Sequence, residues 1–207
     1  MEQTMNSNMQ PAKRRIKKSW IILGIVVVLV LWMFSGYNGL VEKQELATTE
    51  LANVQTQYQR RADMMPQLAK IVKAYAKHEK ETFEAVTKAR AAVGQVKLDA
   101  SNLTEAKLKE YTAAQGELAN AFSKLMVVAE KYPELKASEN FKSLQIQEEG
   151  TENRISEARR KYNDAVQAYN QTARKMPTAL IAGIFNFQTM PKFEAAAGAE
   201  KAPDLDI

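Results

Sequence analysis

The chain has no cysteine and one histidine in 207 residues. The first absence excludes a disulfide scaffold, and the two together exclude a usual structural zinc site, which needs several thiolate or imidazole ligands. Glycine and proline are scarce where a folded body would lie. Between Leu40 and Met176 the prolines are Pro66 and Pro133, and the glycines are Gly94, Gly116 and Gly150. A glycine-rich phosphate loop, a P-loop and a G-x-S-x-G elbow are all missing. Alternating Val/Ile/Thr runs are missing too, and long tracts of Ala, Glu, Lys, Gln, Leu and Arg with so few breakers predict helices. The fold class is all-α.

The net charge of +5 is unevenly placed. Residues 1–18 hold Lys13, Arg14, Arg15, Lys17 and Lys18 against Glu2, and the rest of the chain carries 24 basic and 23 acidic residues. A body so close to neutrality is not a nucleic-acid binder by charge.

What the sequence does have is an uncharged run of 23 residues, Ser19 to Val41, with an aliphatic core from Trp20 to Phe34. At about 1.5 Å per residue roughly 20 residues cross the hydrocarbon layer, and Trp20, Trp32 and Tyr37 stand near the ends, where amphipathic rings favour the headgroup level. This predicts one transmembrane helix over residues 19–41 in contact with the lipid bilayer. The competing reading is a cleaved signal peptide. Against it, the run is long for such a segment, and Met33-Phe34-Ser35-Gly36-Tyr37 puts large residues where a cleavage site needs small ones. A lipoprotein would need cysteine where Tyr37 stands. The basic cluster before the run orients a cytoplasmic tail, residues 1–18, and sends the rest to the periplasmic or extracellular side of the cytoplasmic membrane.

Apolar residues then recur at 3-4 spacing in three series: Leu40, Ala47, Leu51, Val54, Tyr58, Met65, Leu68 and Val72, continuing through Tyr75, Val86 and Ala89; Leu108, Tyr111, Leu118, Phe122 and Leu125; and Phe141, Leu144, Ile155, Tyr162, Val166, Tyr169, Ala173 and Met176. Such seams bury against one another, as in an antiparallel four-helix bundle with coiled-coil-like packing. Expected helices cover about 39–61, 64–95, 103–131 and 139–175, with Asn102 and Ser138 as caps and Asp63 capping a helix whose first turn accepts Pro66. The register passes through Arg61 and Met65 without a phase break, so a single helix kinked at Pro66 is the alternative. The apolar stretch 178–187 is too short to span a bilayer and is expected to pack on one bundle end, leaving residues 194–207 as a disordered tail. The bundle domain is thus 42–193.

Chemistry-bearing candidates are few. His78-Glu79 lacks the second histidine of H-E-x-x-H because residue 82 is Thr82. Arg61 and Arg159 fall on seams, and a guanidinium in a helix-rich interior must find a carboxylate or suffer several kcal/mol of desolvation. Glu79 and Glu152 are the expected partners, with Arg159 paired to one of them. The structural and partner candidates are therefore Arg61, Asp63, Glu79, Glu152 and Arg159, with no catalytic, metal or cofactor-binding residue assigned.

Several blocks carry a resemblance: Tyr37-Asn38-Gly39-Leu40-Val41, Gln59-Arg60-Arg61-Ala62-Asp63-Met64-Met65-Pro66, Val72-Lys73-Ala74-Tyr75-Ala76-Lys77-His78-Glu79, Glu130-Lys131-Tyr132-Pro133, Thr151-Glu152-Asn153-Arg154-Ile155, Lys161-Tyr162-Asn163 and Tyr169-Asn170. In this order they resemble the LemA family of bacterial membrane proteins over about Tyr37 to Phe193. Gln67 departs from the usual asparagine after the proline, and Met64-Met65 replaces branched aliphatics. The resemblance implies a single-pass anchor followed by an antiparallel four-helix bundle, without an enzyme activity. Some relatives are encoded near HtpX-like membrane peptidases. The expected function is a non-enzymatic envelope scaffold or adaptor acting through a protein partner or as a homo-oligomer; the alternative is an accessory or regulatory subunit of a membrane enzyme such as an HtpX-like peptidase.

Overall fold

A computed structural model describes residues 18–194. The expected basic tail (1–18) therefore lies almost wholly, and the expected C-terminal tail from Ala195 onward entirely, outside the described residues. Those described form helices and no strands. In chain order the helices are α1 (Lys18–Tyr75), α2 (Lys80–Gln95), a short 3-10 turn (Ala100–Asn102), α3 (Glu105–Lys131), α4 (Pro133–Ala137), α5 (Glu139–Arg174) and α6 (Thr178–Ile184).

The first helix corrects the expected division. It runs without interruption for 58 residues, about 87 Å at 1.5 Å per residue, and Pro66 lies inside it. Asp63 is consequently a mid-helix surface residue and caps nothing; its carboxylate accepts a hydrogen bond from Gln59 Nε2 at 2.9 Å. Proline removes one backbone hydrogen bond and crowds the preceding turn. Here Pro66 itself is exposed, and the buried Ala62, Met65 and Leu68 around it hold the register. The chain turns instead at Lys77-His78, just after buried Ala76, and no glycine or proline signals it.

The start of α3 also differs in detail. Its cap is Thr104, whose hydroxyl accepts from the Lys107 amide, and Asn102 sits in the 3-10 turn before it. Tyr132-Pro133 ends α3 as expected, and α4 fills the short link to Ser138. The Ser138 side chain makes no capping hydrogen bond.

Packing is chiefly α5 along α1 and α2 on α3. Most seam residues are buried, and two at the ends are not: Tyr75 and Met176 stand in the open. The core divides into two clusters. One is built on Leu40, Leu51, Val54, Leu108, Tyr162 and Tyr169, the other on Met65, Val72, Val86, Leu118, Leu125 and Phe141. A layer of polar side chains lies between them.

Candidate functional site

That layer is built from one position on α1, one on α3 and two on α5. Each apolar series has a gap there: Arg61 between Tyr58 and Met65 on α1, Gln115 between Tyr111 and Leu118 on α3, and Glu148 with Thr151 between Leu144 and Ile155 on α5. All four are buried. Because each occupies a seam position, helix packing forces it inward, and each must find a partner there.

Arg61 supplies most of the donors. Its Nη1 pairs with Glu152 Oε1, and its Nη2 donates to the Gln115 carbonyl at 2.8 Å and to Gln115 Oε1 at 3.0 Å. The guanidinium lies 5.2 Å from the Tyr58 ring centroid, and Tyr58 meets Tyr111 edge-on at 5.5 Å. Thr151 returns its hydroxyl to the Gln147 carbonyl at 2.8 Å. Glu152 is asymmetric to its partner: the Arg61 side chain is 4 % exposed and that of Glu152 45 %.

Glu148 has the most perturbed carboxyl. Burial, then the negative charge of Glu152, push it up to about 7, against a smaller opposing pull from Arg61. A hydrogen bond to Glu152 also favours the protonated acid. Burial pushes the Tyr111 hydroxyl up to about 12 and raises Tyr58 as well, so both rings stay neutral at any ordinary pH.

Of the other candidates, Arg159 borders the layer, close enough to act on the Tyr58 hydroxyl, and Glu79 lies apart. The expected pairing of Arg159 with Glu79 or Glu152 is not formed: Arg159 donates to the Glu194 carbonyl at 2.7 Å and lies over the Phe193 ring. The reason is that the C-terminal stretch folds back along α5 and reaches that guanidinium. Glu79 sits at the start of α2, in the turn after α1, and joins none of the other candidates.

The returning stretch forms a second polar array. Tyr169 and Tyr162 donate to the carbonyls of Gln188 and Pro191, at 2.7 and 2.8 Å. Asn170 holds both the amide and the carbonyl of Met190, and Asn163 does the same for Phe193. Two Tyr-Asn pairs seven residues apart on the helix rise about 10.5 Å, close to the span of three extended residues, which is why the same bidentate grip repeats at 190 and 193. The Tyr-Asn repeat is visible in the sequence as part of the resemblance; the segment it grips is not. Glu148 and Gln115 were missed although the gaps in the seams mark them.

Chemically the buried layer binds itself through Arg61, although Arg61 Nε and Gln115 Nε2 are buried without a hydrogen-bond partner. No group of three or more metal-ligating side chains is assembled among the described residues.

The LemA family profile matches residues 50–206. The chain belongs to the LemA family. Among curated proteins this LemA-family chain is similar to the magnetosome protein MamQ of Magnetospirillum gryphiswaldense, 25% identical over 84% of this chain and 70% of that one. It is also similar to MamQ 1 and MamQ 2 of Paramagnetospirillum magneticum, each 26% identical over 82% of this chain and 68% of the relative. Of the described helices, α1 is the one long and apolar enough to cross a membrane, and that segment is wholly unburied by the rest of the chain.

Proposed function

We propose that the protein is a non-enzymatic, membrane-anchored scaffold or adaptor of the cell envelope, working through protein–protein contacts that include contacts between copies. In this reading residues 19–41 cross the cytoplasmic membrane, residues 1–18 face the cytoplasm, and residues 42–193 form an antiparallel four-helix bundle on the outer side.

The observation that carries it is the two-part character of α1. From Trp20 to Leu31 every large apolar side chain is at least 40 % exposed, whereas from Leu40 onward the same helix contributes buried residues at 3-4 spacing. One continuous helix thus joins a surface suited to hydrocarbon to the core of the domain, a stiff connection without a linker. LemA membership and the likeness to magnetosome proteins support a membrane-associated role without catalysis. The buried polar layer supports the same reading, because the contacts of Arg61 with Glu152 and Gln115 tie α1 to α5 and α3. Copies confined to one plane meet at high effective concentration, so weak lateral contacts suffice for assembly.

Crosslinking in intact cells, followed by identification of the crosslinked species, tests this. Adducts between copies, or with other envelope proteins, are expected, together with a large uniform particle in detergent. A monomer that copurifies with one membrane peptidase in fixed ratio overturns the scaffold and favours the accessory-subunit alternative.

A further inference from the structure

Helix α6 has an apolar face that its own packing does not use. Ile181 and Ala182 point inward, and Ile181 Cδ1 occupies the space over Gly36 so closely that a β-carbon at residue 36 would collide with it. Tyr37 meets Phe185 and Phe187 edge-on, at 4.9 and 5.5 Å. Met33, inside the apolar run of α1, is half-buried against the same cluster. The helix is therefore fastened to the last turns of the uncharged run. Its other side is bare: Leu180 is 55 % exposed and Ile184 71 %, with Met176 69 % exposed just before the helix and Phe185, after it, only partly covered by Tyr37. Leu180 and Ile184 are one turn apart and share a face.

The height of this patch follows from α1. Residues 19–37 rise about 28 Å at 1.5 Å per residue, close to the ~30 Å of a hydrocarbon layer. If Ser19 stands at one boundary, Tyr37 stands at the other, the level that aromatic rings favour. Whatever is packed on Met33, Gly36 and Tyr37 is held at that same boundary. The patch is continuous in level with exposed Phe34 on α1. Arg174 and Lys175, both exposed, precede it and suit the phosphates of anionic headgroups.

We infer that α6 and its flanks form a second membrane contact, a foot lying in the outer interface with Leu180 and Ile184 at acyl-chain depth and a lipid surface as its partner. The inference rests on the reading of α1 as bilayer-spanning. A single helix leaves a domain free to swivel and tilt about its anchor; a foot fixed to that anchor a few ångströms away sets one face of the domain toward the bilayer.

The absence of cysteine allows single-site spin labelling of the full chain, reconstituted in phosphatidylcholine–phosphatidylglycerol vesicles. Labels at Leu180→Cys and Ile184→Cys are compared with Val30→Cys in the uncharged run and Glu110→Cys on the surface of α3. Collisions with oxygen should exceed those with a water-soluble nickel chelate several-fold at 180 and 184, as at 30, with the opposite ratio at 110. Aqueous behaviour at 180 and 184 with a lipid-exposed label at 30 overturns the foot and leaves the anchor standing. Aqueous behaviour at 30 removes the anchor and the foot with it. Exclusion of both reagents at 180 and 184, with broadening between labels on different copies, overturns the foot in favour of a second copy as occupant.

Discussion

Arg61 on α1 and Glu152 on α5, 91 residues apart, form an ion pair between the two apolar clusters of the core. The pair joins the two helices that make the most extensive contact in the molecule. Its members differ in exposure, so their removal has unequal consequences.

Glu152→Gln leaves a deeply buried guanidinium without its counter-ion and should cost about 3 kcal/mol, the lower end for breaking a buried pair. Arg61→Met leaves a carboxylate that is half in water and replaces the cation by apolar volume, so it should cost less, about 1 kcal/mol. Chemical denaturation of the full chain in detergent, followed by far-ultraviolet circular dichroism, measures both. A larger loss for Arg61→Met would contradict the placement of the charge burden on Arg61.

Glu148 gives the stability a pH dependence of definite sign. Its carboxyl is raised from 4.5 to about 7 in the folded chain, so between those values the folded state binds the proton that the unfolded state has lost. The stabilisation is complete below pH 4.5 and disappears as pH rises through about 7. Glu148→Gln should flatten this limb and leave the variant relatively more stable at pH 8 than at pH 5. Parallel profiles for the two proteins across that interval would refute the assignment.

The grip of α5 on the C-terminal stretch should be local. Asn170→Ala should speed hydrogen exchange at the Met190 amide and Asn163→Ala at the Phe193 amide, because each asparagine oxygen accepts from that one N–H. With about 1 kcal/mol per hydrogen bond lost, each variant should raise exchange at its own site on the order of tenfold or more. Equal effects at both amides would mean that the stretch detaches as a unit.

The close approach at Gly36 makes a further prediction. Gly36→Ala should strain α6 against α1 and cost about 1 kcal/mol of overpacking. Adding Ile181→Val, which deletes the colliding Cδ1 methyl, should recover most of it. Limited proteolysis after α5 reports the change; no difference between the single and double variants would argue against a tight contact there.

Much of the fold could be read from spacing because burial repeats with the helix. Leu40, Val54, Leu68, Leu118, Leu125, Tyr162 and Tyr169 were all placed on seams and all are buried. What spacing hides is length without punctuation. Pro66 looks like a start because proline suits a first turn, yet in a helix fixed by neighbours on both sides its cost is bearable. The actual turn at Lys77-His78 has no residue that demands it. The polar layer is half visible: Arg61 and Glu152 stand out by charge, whereas Glu148 and Gln115 interrupt an apolar series instead of continuing it. The partner of Arg159 is hidden because a backbone carbonyl, that of Glu194, leaves no mark in a sequence.

The most direct test of the anchored arrangement is labelling of spheroplasts with a membrane-impermeant maleimide, using the otherwise cysteine-free chain with Glu110→Cys or Asn8→Cys. The account predicts rapid modification at residue 110 and modification at residue 8 only after the membrane is permeabilised. Protection of residue 110 in sealed spheroplasts, or equal labelling of both before permeabilisation, would contradict it.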